Sequence, residues 1–235
     1  LGLVGSEMCI RDSPYALSSD ANSGNSYVID RKKISRPIRR AASQVKPTEA
    51  VIYEMSVRDF SMQKEAGFSQ PGKFASLSES PSVHGHTFGL KYLQNLGITH
   101  VQLMPVYDFG SVDEKHPELV YNWGYDPVQY NVPEGSFSSD PHDPYSRIFE
   151  LQDAIAAYHK ANMSVIMDVV YNHVYEADAY AFEKIVPGYF YRLDERGLRT
   201  NGTFCGNDVA SEKAMVRHYI PVSYTHLRAH ETEAD

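Results

Sequence analysis

Residues 164–170 read SVIMDVV, an apolar, mostly β-branched run broken by one carboxylate. A strand of that kind has no solvent face, which is the habit of parallel sheets covered by helices on both sides. Parallel neighbours need crossover connections, so the segment restricts the chain to folds in which strands alternate with helices. Two further segments fit that plan. Residues 51–57 (VIYEMSV) and residues 99–106 (THVQLMPV) are rich in β-branched and aromatic side chains and predict strands. Between them, FGLKYLQNL at 88–96 places Leu90, Leu93 and Leu96 about one helical turn apart, and Gly97 can stop the helix. Residues 146–162 set Ile148, Leu151, Ile155 and Tyr158 on one helical face. Residues 209–220 read as the start of a third helix.

Long stretches rich in Gly, Pro, Ser and aromatics follow every strand, at 58–86, 107–145 and 171–208. In α/β folds the loops at the carboxyl ends of the strands build the active site. These three stretches are therefore expected on one functional face. No Gly-rich phosphate turn of the G-x-G-x-x-G or P-loop type follows any strand. The pattern favours the first three units of a (β/α)8 barrel over an open doubly wound sheet.

Composition narrows the partners. The 235 residues carry a formal net charge of -8, which argues against a nucleic-acid partner because little would neutralise phosphates. The one basic run, Arg31, Lys32, Lys33, Arg36, Arg39 and Arg40, reads as a solvated linker. No apolar stretch is long enough to cross a membrane as a helix. The opening LGLVGSEMCI lacks the basic region of a secretory signal. Cys9 and Cys205 offer neither a disulfide framework nor a metal spacing, and leave both secreted and cytoplasmic locations open. Residues 1–13 and 222–235 continue no period from their neighbours and resemble translated sequencing-adapter DNA, so non-native ends are expected there. Residues 14–47 read as the edge of a preceding module plus a linker, with one short strand at 27–29. Residues 48–221 read as the α/β part, with an excursion at 174–208.

Two segments carry chemistry. The third strand ends in Asp168, Val169, Val170, Tyr171, Asn172 and His173. A buried carboxylate is costly unless paired, so Asp168 either braces a site or belongs to a structural ion pair. His173 is placed at the mouth, as a hydroxyl partner or as an ordinary surface histidine. The second segment, YNWGYDP at 121–127, packs two tyrosines and the only tryptophan into seven residues. Aromatic faces there can stack on the C–H faces of sugar rings while Asn122 and Asp126 take hydroxyls. A small satellite core beneath a long loop is the plainer alternative.

These segments together resemble type I pullulanases, debranching members of the α-amylase superfamily of glycoside hydrolases. The matching stretches are AVIYEMSVRDFS (50–61), LGITHVQLMPVYDFGSVDE (96–114), YNWGYDPVQYNVPEGSFSSDP (121–141), VIMDVVYNHVY (165–175), FEKIVPGYFYR (182–192) and CGNDVASEKAMVRHYI (205–220). MDVVYNH is shared across the superfamily; YNWGYDP with NVPEGS and CGNDVASE narrows the resemblance to pullulanase-like enzymes. Pro14-Tyr15-Ala16 followed by YVID resembles the end of the β-sandwich starch-binding module that precedes the barrel in such enzymes.

The resemblance implies a (β/α)8 barrel acting on α-1,6-glucosidic branch points of pullulan, starch or glycogen, with an α-glucan as partner. It implies that Tyr125 stacks on the sugar on the non-reducing side of the cleaved bond and that His173 hydrogen-bonds the same ring. Trp123 and Asp126 would complete the sugar wall, and Asp168 and Asn172 would brace it. No cofactor is implied; the amide matched by Asn172 helps hold calcium in amylase relatives, whereas debranching enzymes often lack that ion. The sequence departs from the family in one respect. A retaining glycosidase needs a carboxylate nucleophile and a carboxylic acid about 5–5.5 Å apart, and the family's nucleophile lies in a DGFRFD-like segment at the end of strand four. No such segment occurs here, and the pattern is left after Ile220. The chain is therefore expected to be an inactive part of a debranching hydrolase. Isoamylase-like or glycogen-debranching activity and a non-catalytic glycan-binding remnant are the alternatives.

Overall fold

The computed structural model describes residues 13–36 and 45–228, with side chains to residue 222. Strands β1 (Ile52–Met55), β2 (Ser82–Val83), β3 (His86–Thr87), β4 (His100–Leu103), β5 (Tyr107–Phe109), β6 (Pro127–Pro133) and β7 (Ser164–Met167) are interspersed with helices. The helices are α1 (Arg31–Ile34), α2 (Gly89–Asn95), α3 (Ser146–Lys160), α4 (Ala181–Ile185) and α5 (Ala214–Arg228). β4 lies between β1 and β7, parallel to both, with α2 and α3 as the crossovers. These are the strand–helix–strand units of a partial barrel.

The register decides which side chains share a face. Tyr53, Val101 and Val165 form one row, and Met55, Leu103 and Met167 form the next on the same side. That side packs against Leu93 of α2, Leu151, Ala154, Ile155 and Tyr158 of α3, and Phe74 and Leu77 of the 3-10 turn Phe74–Ser78. α3 keeps the expected apolar stripe, with Ile148 facing Leu17 and Ile34 in a smaller cluster. α2 ends at Asn95, so Leu96 falls off its buried face and is half exposed. The opposite side of the sheet carries Glu54, Gln102 and Ile166, none of them fully buried.

Several expectations need correction. β7 is only half-buried along its whole length and ends at Met167, because it is the edge of a three-stranded sheet whose second face has no covering layer among the described residues. Residues 99–106 do not form one strand: the chain turns at Met104–Pro105, and β5 pairs antiparallel with β6 inside what reads as a loop. The PVQYNVP run of β6 was the available signal, masked by Gly and Pro on both sides. The stretch 58–86 also holds the β2–β3 hairpin and the core residues Phe74 and Leu77.

The excursion at 174–208 is organised around a second, aromatic core of Tyr130, Tyr180, Phe190, Tyr191 and Tyr219. The closing strands of a β-sandwich are not found among the described residues of 14–47. Val28 is 95% exposed, and Ser19 and Ser26 make only an isolated bridge. Residues 13–36 instead lie as a strap on the α/β part: Pro14 O accepts from Tyr219 Oη and Asn131 Nδ2, both at 2.7 Å. The basic run is only in part a solvated linker, since Arg36 pairs with Asp153 at 2.8 Å and Gln152 bonds the Ile34 carbonyl. Arg39 and Arg40 lie outside the described residues, as do residues 1–12 and 229–235 of the two expected non-native ends. The backbone of α5 runs helical through residues 222–228.

The two faces of β4 should respond differently to truncation. Leu103→Ala empties a fully buried site and is expected to cost about 2–5 kcal/mol in urea unfolding. Gln102→Ala, on the open face, should stay within about 1 kcal/mol of the parent. Equal losses would mean the register is wrong.

Candidate functional site

Asp168 follows directly on β7 and its N–H donates to the Leu103 carbonyl at 2.9 Å, so the parallel pairing extends one residue past the strand. Alternation places its side chain with Ile166, on the open face of the sheet. There its Oδ2 accepts from the Tyr125 hydroxyl at 2.7 Å. Partial burial, then the Asp168 carboxylate, push the Tyr125 phenol up to about 12. The phenol therefore remains a donor at any ordinary pH, and Asp168 fixes the direction of the ring.

The loop that carries Tyr125 is built by Asn122. Its Nδ2 donates to the Gly110 carbonyl and to Asp126 Oδ1, both at 2.8 Å, and its Oδ1 accepts from Gly124 N at 2.8 Å. Gly124 has φ +89, and a Cβ there would come within 3.1 Å of the Pro105 carbonyl, so only glycine lets the turn close. Asp126 also accepts from Ser111 Oγ at 3.1 Å, while its backbone carbonyl takes the Gly110 N–H at 2.9 Å. Burial raises the Asp126 carboxyl, and the bonds from Asn122 and Ser111 pull it back.

His173 closes the other side. It is 7% exposed, deeper than a residue at an open mouth would be. Its carbonyl accepts from Tyr130 Oη at 2.7 Å, and its Nδ1 donates to Asn172 Oδ1 at 2.8 Å. Burial lowers the ring's pKa, opposed by a hydrogen bond to the Tyr125 backbone and by the Asp126 charge. Tyr125, Asp126 and His173 therefore converge, with Asp168 on the Tyr125 hydroxyl and the exposed Asn172 on the His173 ring. Trp123 stands apart at the loop tip, 59% exposed and edge-on to Tyr121 at 6.5 Å between ring centroids.

Sequence reasoning missed Arg58 and Asp59, which tie the loop after β1 to this segment. Tyr121 Oη donates to Asp59 Oδ2 at 2.5 Å, and the Arg58 guanidinium lies 5.1 Å from the Tyr121 ring centre. The charged pair in SVRDFS, directly after a strand, was the signal. Beside the loop, Arg58, Met62, Lys73, Asn122 and Phe137 border a cleft of about 360 Å³. Also missed was Tyr175, which lies so close over Gly110 that a Cβ there would sit 2.2 Å from its ring.

Asn172 spends its amide oxygen on His173. The one group of three carboxylates close enough to share a cation among the described residues is Asp108, Glu114 and Glu134. All six of its oxygens have N–H or O–H donors, and the Arg147 guanidinium supplies positive charge at 3.0 Å. That donor set suits an internal ion-pair network and does not fit a metal.

The α-amylase catalytic domain family matches residues 63–188. The pullulanase of Bacillus subtilis (strain 168) is 44% identical over 88% of this chain and 29% of its own length. The crystal structure of the Anoxybacillus sp. LM18-11 pullulanase complexed with maltotetraose superposes with a TM-score of 0.88 at 46% identity, over 92% of this chain and 32% of that one. Isoamylase 3 of rice (Oryza sativa subsp. japonica) is more distant, 29% identical over 76% of this chain and 23% of its own length. The chain thus spans about a third or less of the length of these relatives.

The His173 ring offers a direct check. Its NMR titration midpoint is expected below the usual 6.5, and Asp126→Asn should lower it further by removing the charge that favours protonation. The unfolded ring takes up its proton first as pH falls, so this residue weakens the fold on acidification. A midpoint above 6.5 would contradict the burial assigned here.

Proposed function

This chain belongs to the α-amylase catalytic domain family as a pullulanase-type member, and from that membership we propose that it forms the sugar-binding wall of a retaining hydrolase acting on α-1,6-glucosidic branch points. The observation that carries this reading is the Tyr125–Asp168 hydrogen bond, with His173 against the same loop, at the carboxyl edge of the parallel sheet. An aromatic ring held by a carboxylate offers a fixed stacking face for a pyranose. A buried imidazole beside it offers a directed hydrogen bond to one hydroxyl. Asp126 and the exposed Trp123 extend the wall, while Asp168 and Asn172 hold the two reading groups in place. Residues 48–221 would then be the first part of the barrel, with 174–208 as its excursion, and the strap before it would take the place expected for a β-sandwich end.

The substrate is an α-glucan, in line with the maltotetraose complex of the Anoxybacillus enzyme. Pullulan, starch and glycogen all carry the required branch. The lower identity to the isoamylase favours the pullulanase reading within the class. Nucleophile and general acid supply most of a glycosidase's barrier lowering. The sequence has no DGFRFD-like segment to supply the nucleophile, so the chain binds and orients without cleaving. A non-catalytic glycan-binding role is the alternative for the same wall.

The purified chain should release no reducing ends from pullulan. Turnover that survives further purification and is lost on replacing one of its own carboxylates would overturn the reading. When the barrel is completed with the remaining half of a pullulanase relative, His173→Ala should lower kcat by roughly 10- to 1000-fold, or about 1.4–4 kcal/mol. A double-mutant cycle with Tyr125→Ala should show non-additive losses, because both groups touch one ring. Strict additivity would place them on different sugars.

A further inference from the structure

Behind the sugar loop lies a buried charged group that the proposed reaction does not use. Asp108 sits on β5, Glu114 in the loop after it, and Glu134 directly after β6. They are 0%, 3% and 0% exposed, and their carboxylate oxygens lie within 4.8 Å of one another. Two cations face them. Arg147 of α3 is fully buried and bonds Glu114 Oε2 at 3.0 Å. The Lys73 ammonium, half-buried, donates to the Ser136 carbonyl at 2.8 Å and feels Glu150, Glu134, Glu118 and Glu114. The strap contributes uncharged donors only: Asn22 N to Glu114 at 3.0 Å, Ser23 Oγ to Asp108 at 2.9 Å and Ser19 Oγ to Asp108 at 3.5 Å. Asp113, on the surface beside them, takes the Asn22 side-chain amide.

Full ionisation sets three carboxylates against two cations and leaves one uncompensated charge out of water, which is prohibitively costly. One retained proton balances the group. We propose that Asp108 and Glu134, packed against Glu114, hold one proton between them and form a pH-sensitive latch, which fastens both the 13–36 strap and the 121–126 loop and loosens when the proton leaves. The titration fits the geometry. Burial, then Glu114, push the Asp108 carboxyl up to about 7 against the pull of Arg147, Ser23 and Ser19. Burial, Glu114 and Asp108 also hold Glu134 high.

The route to the loop is short. Glu134 Oε2 accepts from Phe109 N at 3.0 Å. The next residue, Gly110, exchanges hydrogen bonds with the Asp126 carbonyl and the Asn122 amide. The consequence for sugar binding rests on the function proposed above; the retained proton does not.

The folded chain keeps a proton that an unfolded carboxylic acid releases near pH 3.8, so this group's contribution to stability is full below that value and is lost as pH rises through about 7. Amide hydrogen exchange on the full chain, corrected for intrinsic rates, reads the latch at Asn22, Phe109, Gly135 and Ser136, whose N–H groups bond its oxygens. Their protection should fall about tenfold between pH 6 and pH 8, and Tm should drop by about 5 °C. Asp108→Asn leaves two carboxylates against two cations, so the fall in protection and Tm from pH 6 to pH 8 should disappear. Glu134→Gln should do the same and serves if the first variant does not fold. Pullulan or maltotetraose binding, measured separately, tests the sugar reading without bearing on the proton. Three outcomes overturn the latch: unchanged protection in the parent, a parent chain with no folded transition at either pH, or the same pH loss in both variants.

Discussion

The in-register pairing of β1, β4 and β7 is the constraint on which the remaining structure depends. Because side chains alternate along a strand, one register puts Met55, Leu103 and Met167 on the helix side and leaves Glu54, Gln102 and then Asp168 on the other. A slip of a single residue would bury Asp168 among the aliphatic side chains of α2 and α3 and remove it from Tyr125. The apolar rows therefore do two things. They cement the sheet to its helices, and they aim a carboxylate at the one place where a phenol can use it.

Rigid strands position the site, but loops supply it. Three loops that leave the carboxyl ends of β1, β4 and β7 are tied to one another by a few polar bonds: Tyr121 to Asp59, Asn122 to Asp126 and Gly110, and Tyr125 to Asp168. Asn122 spends its whole amide on the backbone and carboxylate of its own loop, so the aromatic face of Tyr125 is presented without the entropy cost of a free loop. The β5–β6 hairpin gives this loop a second anchor below it.

That hairpin also shows how polar groups are buried in this fold. Arg147, with no exposure, bonds the carbonyls of Pro133 and Pro141 as well as Glu114. One guanidinium thereby joins α3, the end of β6 and the loop after β5. Its planar fork suits such multiple contacts, which a lysine could not reproduce. Gly135 is required beside it, since a Cβ would fall 2.1 Å from Glu114 Oε2.

The alternation of strands and helices was legible in the chain itself, because period and apolar continuity are local properties of a sequence. So were the two short segments, 121–127 and 168–173, from which the proposed sugar wall is drawn, because their concentration of aromatic, amide and carboxylate groups is visible without any tertiary contact. Tertiary structure decided the remainder. β7 has apolar residues throughout, yet its exposure follows from edge position, which depends on neighbours and not on its own letters. β5 and β6 were hidden because their pairing joins residues 18 to 26 apart across a segment rich in Gly and Pro. The strap at 13–36 has no periodicity, since its bonds run to Glu114, Asp108 and Tyr219, far along the chain. Asp108, Glu114, Glu134 and Arg147 look like ordinary surface charges in sequence. Only the fold withdraws them from water, and it is that desolvation, not their identity, that makes them interact so strongly.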